Sequence, residues 1–183
     1  MVEGEYNLIE AAKAGNAQAF GILYDSYLPQ IYRFIYLKVG RKEIAEDLTH
    51  EVFLSAWQNL KGYAHRGFPF STWLYKISRN RVIDHYRTNH AAISLDVQLE
   101  EYIEFVDAPV EQIDRSLTME KIMGSIAELP EEHQTVLIMR FVDDAEPSQI
   151  AEVIGKSVGA VRVMQHRALQ EVKSIMQKKV TNS

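Results

Sequence analysis

The sequence contains no cysteine among its 183 residues. This absence excludes a disulfide framework, thiolate metal sites and a cysteine nucleophile, and it is typical of a reducing compartment. No run approaches 18 uninterrupted apolar residues, so we expect no membrane span. The first residues are acidic and lack the basic start and apolar core of a signal peptide, so we expect a cytoplasmic protein.

Motifs for enzyme chemistry are missing as well. Gly-Lys-Ser at 155–157 looks like the end of a phosphate-binding loop, but Ile150 stands where the first glycine is required. His50 and Glu51 begin a zinc-protease pattern, but Leu54 replaces its second histidine. The six histidines show no metal-ligand spacing. We therefore expect no enzymatic activity, no cofactor and no metal.

The charge is distributed unevenly along the chain. The net charge is −5, yet residues 61–90 hold 6 bases and 1 acid, and residues 148–183 hold 6 bases and 2 acids. Between these basic patches, residues 91–114 hold 7 acids and no base. Because nucleic-acid affinity depends on local basic surface, the negative total does not exclude nucleic-acid binding.

Helical periodicity dominates the sequence, and no segment shows sustained strand alternation. The spacing of apolar residues predicts helices near 5–15, 17–38, 42–60, 71–88, 115–128, 131–142, 147–154 and 158–178. We therefore predict an all-α fold. It has two small helical domains, at 1–90 and 115–183, joined by a flexible acidic linker at 91–114.

The helix predicted over 43–60 has two distinct faces. Its apolar stripe consists of Ala45, Leu48, Val52, Ala56 and Leu60. The opposite face carries Asp47, His50, Leu54 and Trp57, with Glu51 at its edge. A tryptophan and a leucine among acids indicate a protein partner. Packing of Trp57 on a neighbouring helix of its own domain explains the pattern equally well.

The segment 61–87 is basic and rich in aromatic residues: Tyr63, Phe68, Phe70, Trp73, Tyr75 and Tyr86. On its helix, a narrow arc carries Trp73, Lys76, Asn80 and Arg87. An aromatic ring can stack an unpaired base while cations meet phosphates and an amide contacts a base edge, so this arc suits single-stranded nucleic acid. We expect Tyr75 and Tyr86 to lie in the core, and for Trp73 both interpretations stay open.

The segment 147–173 has the pattern of a helix-turn-helix. The predicted apolar stripe of its second helix consists of Val158, Val161, Met164, Ala168, Leu169, Val172 and Ile175. The opposite face is polar and includes Arg162, His166 and Arg167, with Val163 at its centre. Contact with a thymine methyl group would account for Val163. An ordinary helical hairpin is the alternative.

Three runs of sequence resemble the bacterial sigma-70 family, extracytoplasmic-function group. The run AEDLTHEVFLSAW, from Ala45 to Trp57, resembles the helix that binds core RNA polymerase. The run FSTWLYKISRNRVIDHYR, from Phe70 to Arg87, resembles the segment that recognises the promoter −10 element. Residues 129–140 and the following helix-turn-helix resemble the −35 domain. The three runs occur in the family's order and span nearly the whole chain.

The resemblance implies a promoter-specificity subunit that binds polymerase, recognises both promoter elements and assists initiation. The residues implied to contact the polymerase clamp region are Asp47, Leu48, His50, Glu51, Phe53, Leu54 and Trp57. Those implied to contact the −10 element are Tyr63, Arg66, Phe70, Trp73, Lys76, Asn80 and Arg87. Those implied to contact duplex DNA at −35 are Lys156, Ser157, Ala160, Arg162, Val163, His166 and Arg167.

The resemblance also implies an anti-sigma partner, a linker that follows the polymerase channel, and association with the nucleoid when the chain is bound to polymerase. Two other functions fit the residues. One is a stand-alone helix-turn-helix regulator that uses only the C-terminal domain. The other is a helical adaptor with no DNA role. Neither a promoter sequence nor a particular partner follows from the residues.

Overall fold

A computed structural model describes residues 4–88 and 122–181. Every regular element within these ranges is helical, as predicted. The α-helices are α1 (Glu5–Lys13), α2 (Ala17–Val39), α3 (Lys42–Asn59), α4 (Phe70–Thr88), α5 (Glu131–Leu137), α6 (Pro147–Ile154) and α7 (Val158–Thr181). The predicted linker lies outside the described residues, as does most of the helix predicted at 115–128, of which 122–127 are described and helical. The chain divides into two compact units: the first contains α1–α4 together with residues 152–155, and the second contains α5, the rest of α6 and α7.

Local chemistry sets both ends of α2. The side chain of Asn16 caps α2 by accepting hydrogen bonds from the backbone N–H groups of Gln18 (3.0 Å) and Ala19 (3.1 Å). Gly40 ends α2 in the left-handed conformation, with φ +66°, which glycine adopts without steric cost. The connections on either side of α2 are short, and α2 packs against both α1 and α3.

The core of the first unit lies between α2, α3 and α4. The stripe predicted on α3 is confirmed, because Ala45, Leu48, Val52, Ala56 and Leu60 are all buried. Tyr75 is buried as well, and the hydroxyl of Tyr86 donates a hydrogen bond to the carbonyl oxygen of Lys38 at 2.6 Å. The prediction of a core position is therefore confirmed for Tyr75, whereas Tyr86 is half-buried at the edge of the core.

The second unit departs from the predicted helix at 131–142. The α-helix ends at Leu137, and Ile138–Val142 form a π-helical turn. In that turn the N–H of Asp143 donates to the carbonyl oxygen of Ile138 at 3.2 Å, five residues back. Ile138 and Met139 are both fully buried beside the wider turn. Periodicity alone could not distinguish such a turn from continued α-helix.

The helix-turn-helix appears at the predicted place, but its second helix is less buried than predicted. Val161 and Ala168 are buried at the centre of the stripe, whereas Val158 and Leu169 are exposed. At 100° per residue, both exposed residues lie roughly 60–100° to one side of the buried pair. The predicted stripe was too wide because α7 packs through a narrower band of its surface.

Candidate nucleic-acid interface

One face of α7 presents the residues predicted to contact duplex DNA. Arg162, Val163, His166 and Arg167 are exposed, and Val163 has half of its surface open to solvent. The imidazole Nε2 of His166 lies 2.9 Å from the side-chain nitrogen of Gln170, so the ring is held against its own helix. Two guanidinium groups, an imidazole and a methyl-bearing side chain suit the mixed edge of a major groove.

The turn before α7 has a structural role that the sequence analysis did not assign. The hydroxyl oxygen of Ser157 accepts a hydrogen bond from the N–H of Ala160 at 3.2 Å, which makes Ser157 the N-cap of α7. Lys156 is exposed and forms an ion pair with Glu132 at 3.4 Å. Ala160 is half-buried. Ser157 therefore orients the start of the helix, where backbone N–H groups favour a phosphate.

In the first unit, three predicted DNA-contact residues form an aromatic cluster. The rings of Tyr63, Phe70 and Trp73 contact one another, with centroid separations of 4.9–5.5 Å. Phe70 is fully buried and Tyr63 nearly so, while Trp73 is half-buried. The prediction that Tyr63 and Phe70 contact a base directly therefore needs correction. Their rings pack beneath Trp73 and support it.

The polar members of the predicted −10 set lie on the surface. Arg66 in the loop and Lys76, Asn80 and Arg87 on α4 are all exposed. The guanidinium of Arg87 lies 3.1 Å from the carboxylate of Asp84, one turn earlier on the same helix. An exposed ion pair of this kind contributes little to stability, so Arg87 can exchange Asp84 for a phosphate at small cost.

The face of α3 away from the core combines charge with exposed apolar surface. Leu54 and Trp57 are 57% and 36% exposed, and Asp47 and His50 are exposed beside them. The ring of Trp57 also packs on Phe20 of α2, with centroids 4.9 Å apart. One side of the ring thus packs within the unit and the rest faces solvent, so the packing interpretation holds in part and binding of a partner stays a prediction.

Two members of the predicted polymerase-binding set lie inside the unit. Leu48 and Phe53 are buried, and the ring of Phe53 packs on Tyr24 at 4.6 Å. In this structure their side chains fill the core beside α2 and present no surface to a partner. Glu51 is exposed and lies 3.6 Å from the guanidinium of Arg81 on α4, an ion pair that links the two helices.

The sequence analysis missed Glu5, which is a buried acid in the first turn of α1. Its carboxylate accepts hydrogen bonds from the hydroxyl of Tyr27 and from the N–H of Phe70. Burial, together with the charge of Glu5, raises the pKa of the Tyr63 phenol above its usual value. The available signal was the spacing of Glu5, Ile9 and Ala12, which places the acid on the buried face of α1.

In residues 4–88 and 122–181, no group of His, Asp or Glu side chains is arranged to hold a metal ion. None of the helices in these ranges combines the length and the apolar character that a membrane crossing requires.

Two family models match this chain. Sigma-70 region 2 matches residues 23–91, and sigma-70 region 4 matches residues 125–174. The first match covers α3, the aromatic cluster and α4, while the second covers the helix-turn-helix. The two matches occur in one chain and in the order that the sequence analysis expected.

Relatives of known name span most of the chain. It is 31% identical over 173 residues to the ECF RNA polymerase sigma factor SigD of Mycobacterium tuberculosis, covering 91% of this chain and 81% of SigD. It is 33% identical over 170 residues to the ECF RNA polymerase sigma factor BldN of Streptomyces coelicolor, covering 92% of this chain and 64% of BldN. With SigW of Bacillus subtilis the identity is 29%, with coverage of 90% and 92%.

Solved structures share the fold. CnrH, in complex with the cytosolic domain of CnrY, superposes with a TM-score of 0.73 at 20% identity, covering 96% of this chain and 98% of that one. The sigma factor RpoE of Bartonella quintana, in complex with the anti-sigma factor NepR, gives a TM-score of 0.70 at 17% identity, covering 88% and 98%. At these low identities the superpositions show a shared fold and nothing about function.

Proposed function

The chain belongs to the extracytoplasmic-function group of the sigma-70 family, and we propose that it is a promoter-specificity subunit of RNA polymerase. It would bind the core enzyme, recognise the −10 and −35 elements and assist initiation. The observation that carries this proposal is the presence of region 2 and region 4 in one chain. A stand-alone regulator would need only the helix-turn-helix, and it would not need the exposed face of α3.

At the −35 element, α7 would lie in the major groove of duplex DNA. Arg162 and Arg167 would contact base edges or phosphates, His166 would contact an acceptor, and Val163 would meet a thymine methyl group. The cap at Ser157 would hold the N-terminus of α7 against the backbone, with Lys156 beside it. Each good base contact is worth about 1–3 kcal/mol of discrimination.

At the −10 element, α4 and the loop before it would bind an unpaired strand. The open part of Trp73 would stack a base, Asn80 would contact a base edge, and Lys76 would neutralise a phosphate. Arg66 and Arg87 would add phosphate contacts at either end. Capturing an unstacked base offsets part of the melting cost, which is a few kcal/mol.

The exposed face of α3 would bind the clamp region of the polymerase. Leu54 and Trp57 offer apolar surface, and Asp47, His50 and Glu51 surround it with polar groups. An apolar centre with a polar rim is the usual arrangement of a protein interface. Leu48 and Phe53 would act from the core by fixing the position of α3.

Three further features complete the proposal. The chain supplies specificity and carries out no chemistry of its own. It acts in the cytoplasm and is held at the nucleoid through the polymerase. An anti-sigma partner would control its access to the polymerase, as the family resemblance implies. Of the solved structures with this fold, CnrH is in complex with the cytosolic domain of CnrY, and the sigma factor RpoE from Bartonella quintana is in complex with the anti-sigma factor NepR.

The test is transcription with purified core polymerase from a library of promoters randomised at both elements. Sequencing the transcript starts should give a single pair of selected elements that depends on the added chain. Core enzyme alone is the control. Failure to bind core polymerase, combined with intact binding of duplex DNA, would favour a stand-alone regulator. An adaptor would yield no promoter-dependent transcript.

A further inference from the structure

The carboxylate of Glu5 joins three helices of the first unit. Glu5 begins α1 and is only 6% exposed. One carboxylate oxygen accepts a hydrogen bond from the hydroxyl of Tyr27 on α2. The other accepts from the N–H of Phe70, the first residue of α4, at 3.3 Å. A charged group in the core is costly unless it is hydrogen-bonded, and here each oxygen has a donor.

The bond to Phe70 lies at the point where α4 begins. The first N–H groups of a helix lack partners within the helix, and they carry its positive end. A local side chain usually supplies the acceptor, but at α4 it comes from α1, 65 positions earlier in the sequence. Glu5 therefore fixes where α4 starts relative to α1 and α2.

The start of α4 determines the position of the aromatic cluster. The ring of Phe70 contacts Tyr27 at 5.9 Å, Tyr63 at 5.3 Å and Trp73 at 5.5 Å. A second contact ties α1 to the loop, since the rings of Tyr6 and His65 meet edge to face at 6.1 Å. A displacement of Phe70 would thus be transmitted to Trp73 through direct packing.

We propose that Glu5 is a positioning residue for the −10 strand, because it anchors the start of α4 and, through Phe70 and Tyr63, the ring of Trp73. This inference rests on the proposed function. It assigns a role in promoter binding to α1, which precedes the region 2 match at residues 23–91. Glu5 itself touches no DNA.

The experiment compares Glu5→Ala and Glu5→Gln with the wild-type chain in complex with core polymerase. The probes are a labelled single strand carrying the −10 element selected by the wild-type complex, and a duplex carrying its −35 element. Glu10→Gln is the matched control, because it makes the same change at an exposed site on α1. Tyr27→Phe removes a single hydroxyl and serves as a milder variant.

We expect Glu5→Ala to weaken binding of the −10 strand about tenfold, and Glu5→Gln, which keeps an acceptor oxygen, to weaken it about threefold. Binding of the −35 duplex should stay within about twofold in each variant. Tyr27→Phe should weaken binding of the −10 strand less than Glu5→Ala does. Glu10→Gln should bind both probes as tightly as the wild-type chain.

A second measurement reports on the geometry directly. The phenol of Tyr63 titrates at a raised pKa, and burial is the larger cause and the charge of Glu5 the smaller. Removing that charge in Glu5→Gln should lower the pKa of Tyr63. NMR measures this pKa, and the Tyr63→Phe variant identifies which signal belongs to Tyr63. If Glu5→Gln lowered stability without Glu5 acting on the cluster, the pKa of Tyr63 in the folded chain would not change.

The inference is wrong if Glu5→Ala binds the −10 strand as the wild-type chain does, or if it loses both probes equally. It is also wrong if Glu5→Gln leaves the pKa of Tyr63 unchanged. Failure of the proposed function looks different: the wild-type complex itself would then select no −10 strand. That result would overturn the inference as well, whereas the variant results bear on Glu5 alone.

Discussion

The two candidate DNA surfaces of this chain are built in different ways. In α7 the residues with a predicted base contact sit on one exposed face of one helix, and Val161 and Ala168 hold its opposite side in the core. At the start of α4, two of the residues with a predicted base contact are buried and a third is half-buried.

This difference separates recognition by a helix face from recognition by a packed cluster. A substitution on the face of α7 removes a contact and leaves the fold unchanged. A substitution within the cluster around Phe70 alters the packing first, and through it the position of Trp73. Substitutions of each kind should therefore differ in whether they lower stability or DNA binding.

Phe70→Ala should have the largest effect on stability. It removes a fully buried ring from the cluster, and such truncations cost about 3–5 kcal/mol. Phe141→Ala makes the same change at an exposed site of the second unit and should alter stability by about 0.5 kcal/mol or less. Urea unfolding of the full chain measures both. Equal losses would remove the distinction between the two surfaces.

Arg162→Ala should weaken binding at the −35 element by about 2 kcal/mol, or roughly 30-fold, because an exposed cation of α7 is lost. Association with core polymerase and thermal stability should not change. Lys178→Ala, near the far end of α7, is the control and should have little effect on the selected promoter. Loss of polymerase association in Arg162→Ala would contradict the assignment. Filter binding measures affinity for the −35 duplex, and transcription with core polymerase shows whether the variant still associates with the enzyme.

Asn80→Ala should weaken binding of the −10 strand by about 1 kcal/mol, or roughly fivefold, because one amide contact to a base edge is removed. Binding of the −35 duplex should stay at the wild-type level. Asn7→Ala, the same substitution at an exposed position of α1, is the control. Competition with selected single strands checks this prediction. Equal losses at both elements would count against a local contact at Asn80.

Ser157→Ala should lower the stability of the second unit by about 1 kcal/mol, because the N-cap of α7 is removed. Ser157→Asp keeps an acceptor and should preserve stability, while its added negative charge should reduce affinity for DNA. Differential scanning calorimetry and −35 binding separate the two effects. If Ser157→Ala left stability unchanged and Ser157→Asp bound DNA normally, the cap would have neither role.

Much of the architecture followed from local patterns. The stripe on α3 and the two helices of the helix-turn-helix depend on neighbouring residues only, so periodicity was sufficient to predict them. The exposed face of α7 followed for the same reason. The width of its apolar stripe did not, because Val158 and Leu169 would be buried only if a neighbouring helix covered that side.

The candidate site in the first unit was less predictable. Aromatic and basic residues in 61–87 correctly indicated an unusual segment, yet composition could not tell a ring that faces solvent from a ring that packs beneath it. Phe70 is buried and Asn80 exposed because of what α2 and the loop place against α4. Glu5 escaped notice because its partners lie 22 and 65 positions away.

Residue types at fixed local spacing were enough to predict most of the helices, their order, the two basic segments and the family resemblance. The tertiary structure alone decided which members of those segments face solvent and that an acid at the start of α1 anchors α4. The reason is physical: burial and long-range hydrogen bonds depend on which surfaces meet, and that is settled only when the whole unit packs.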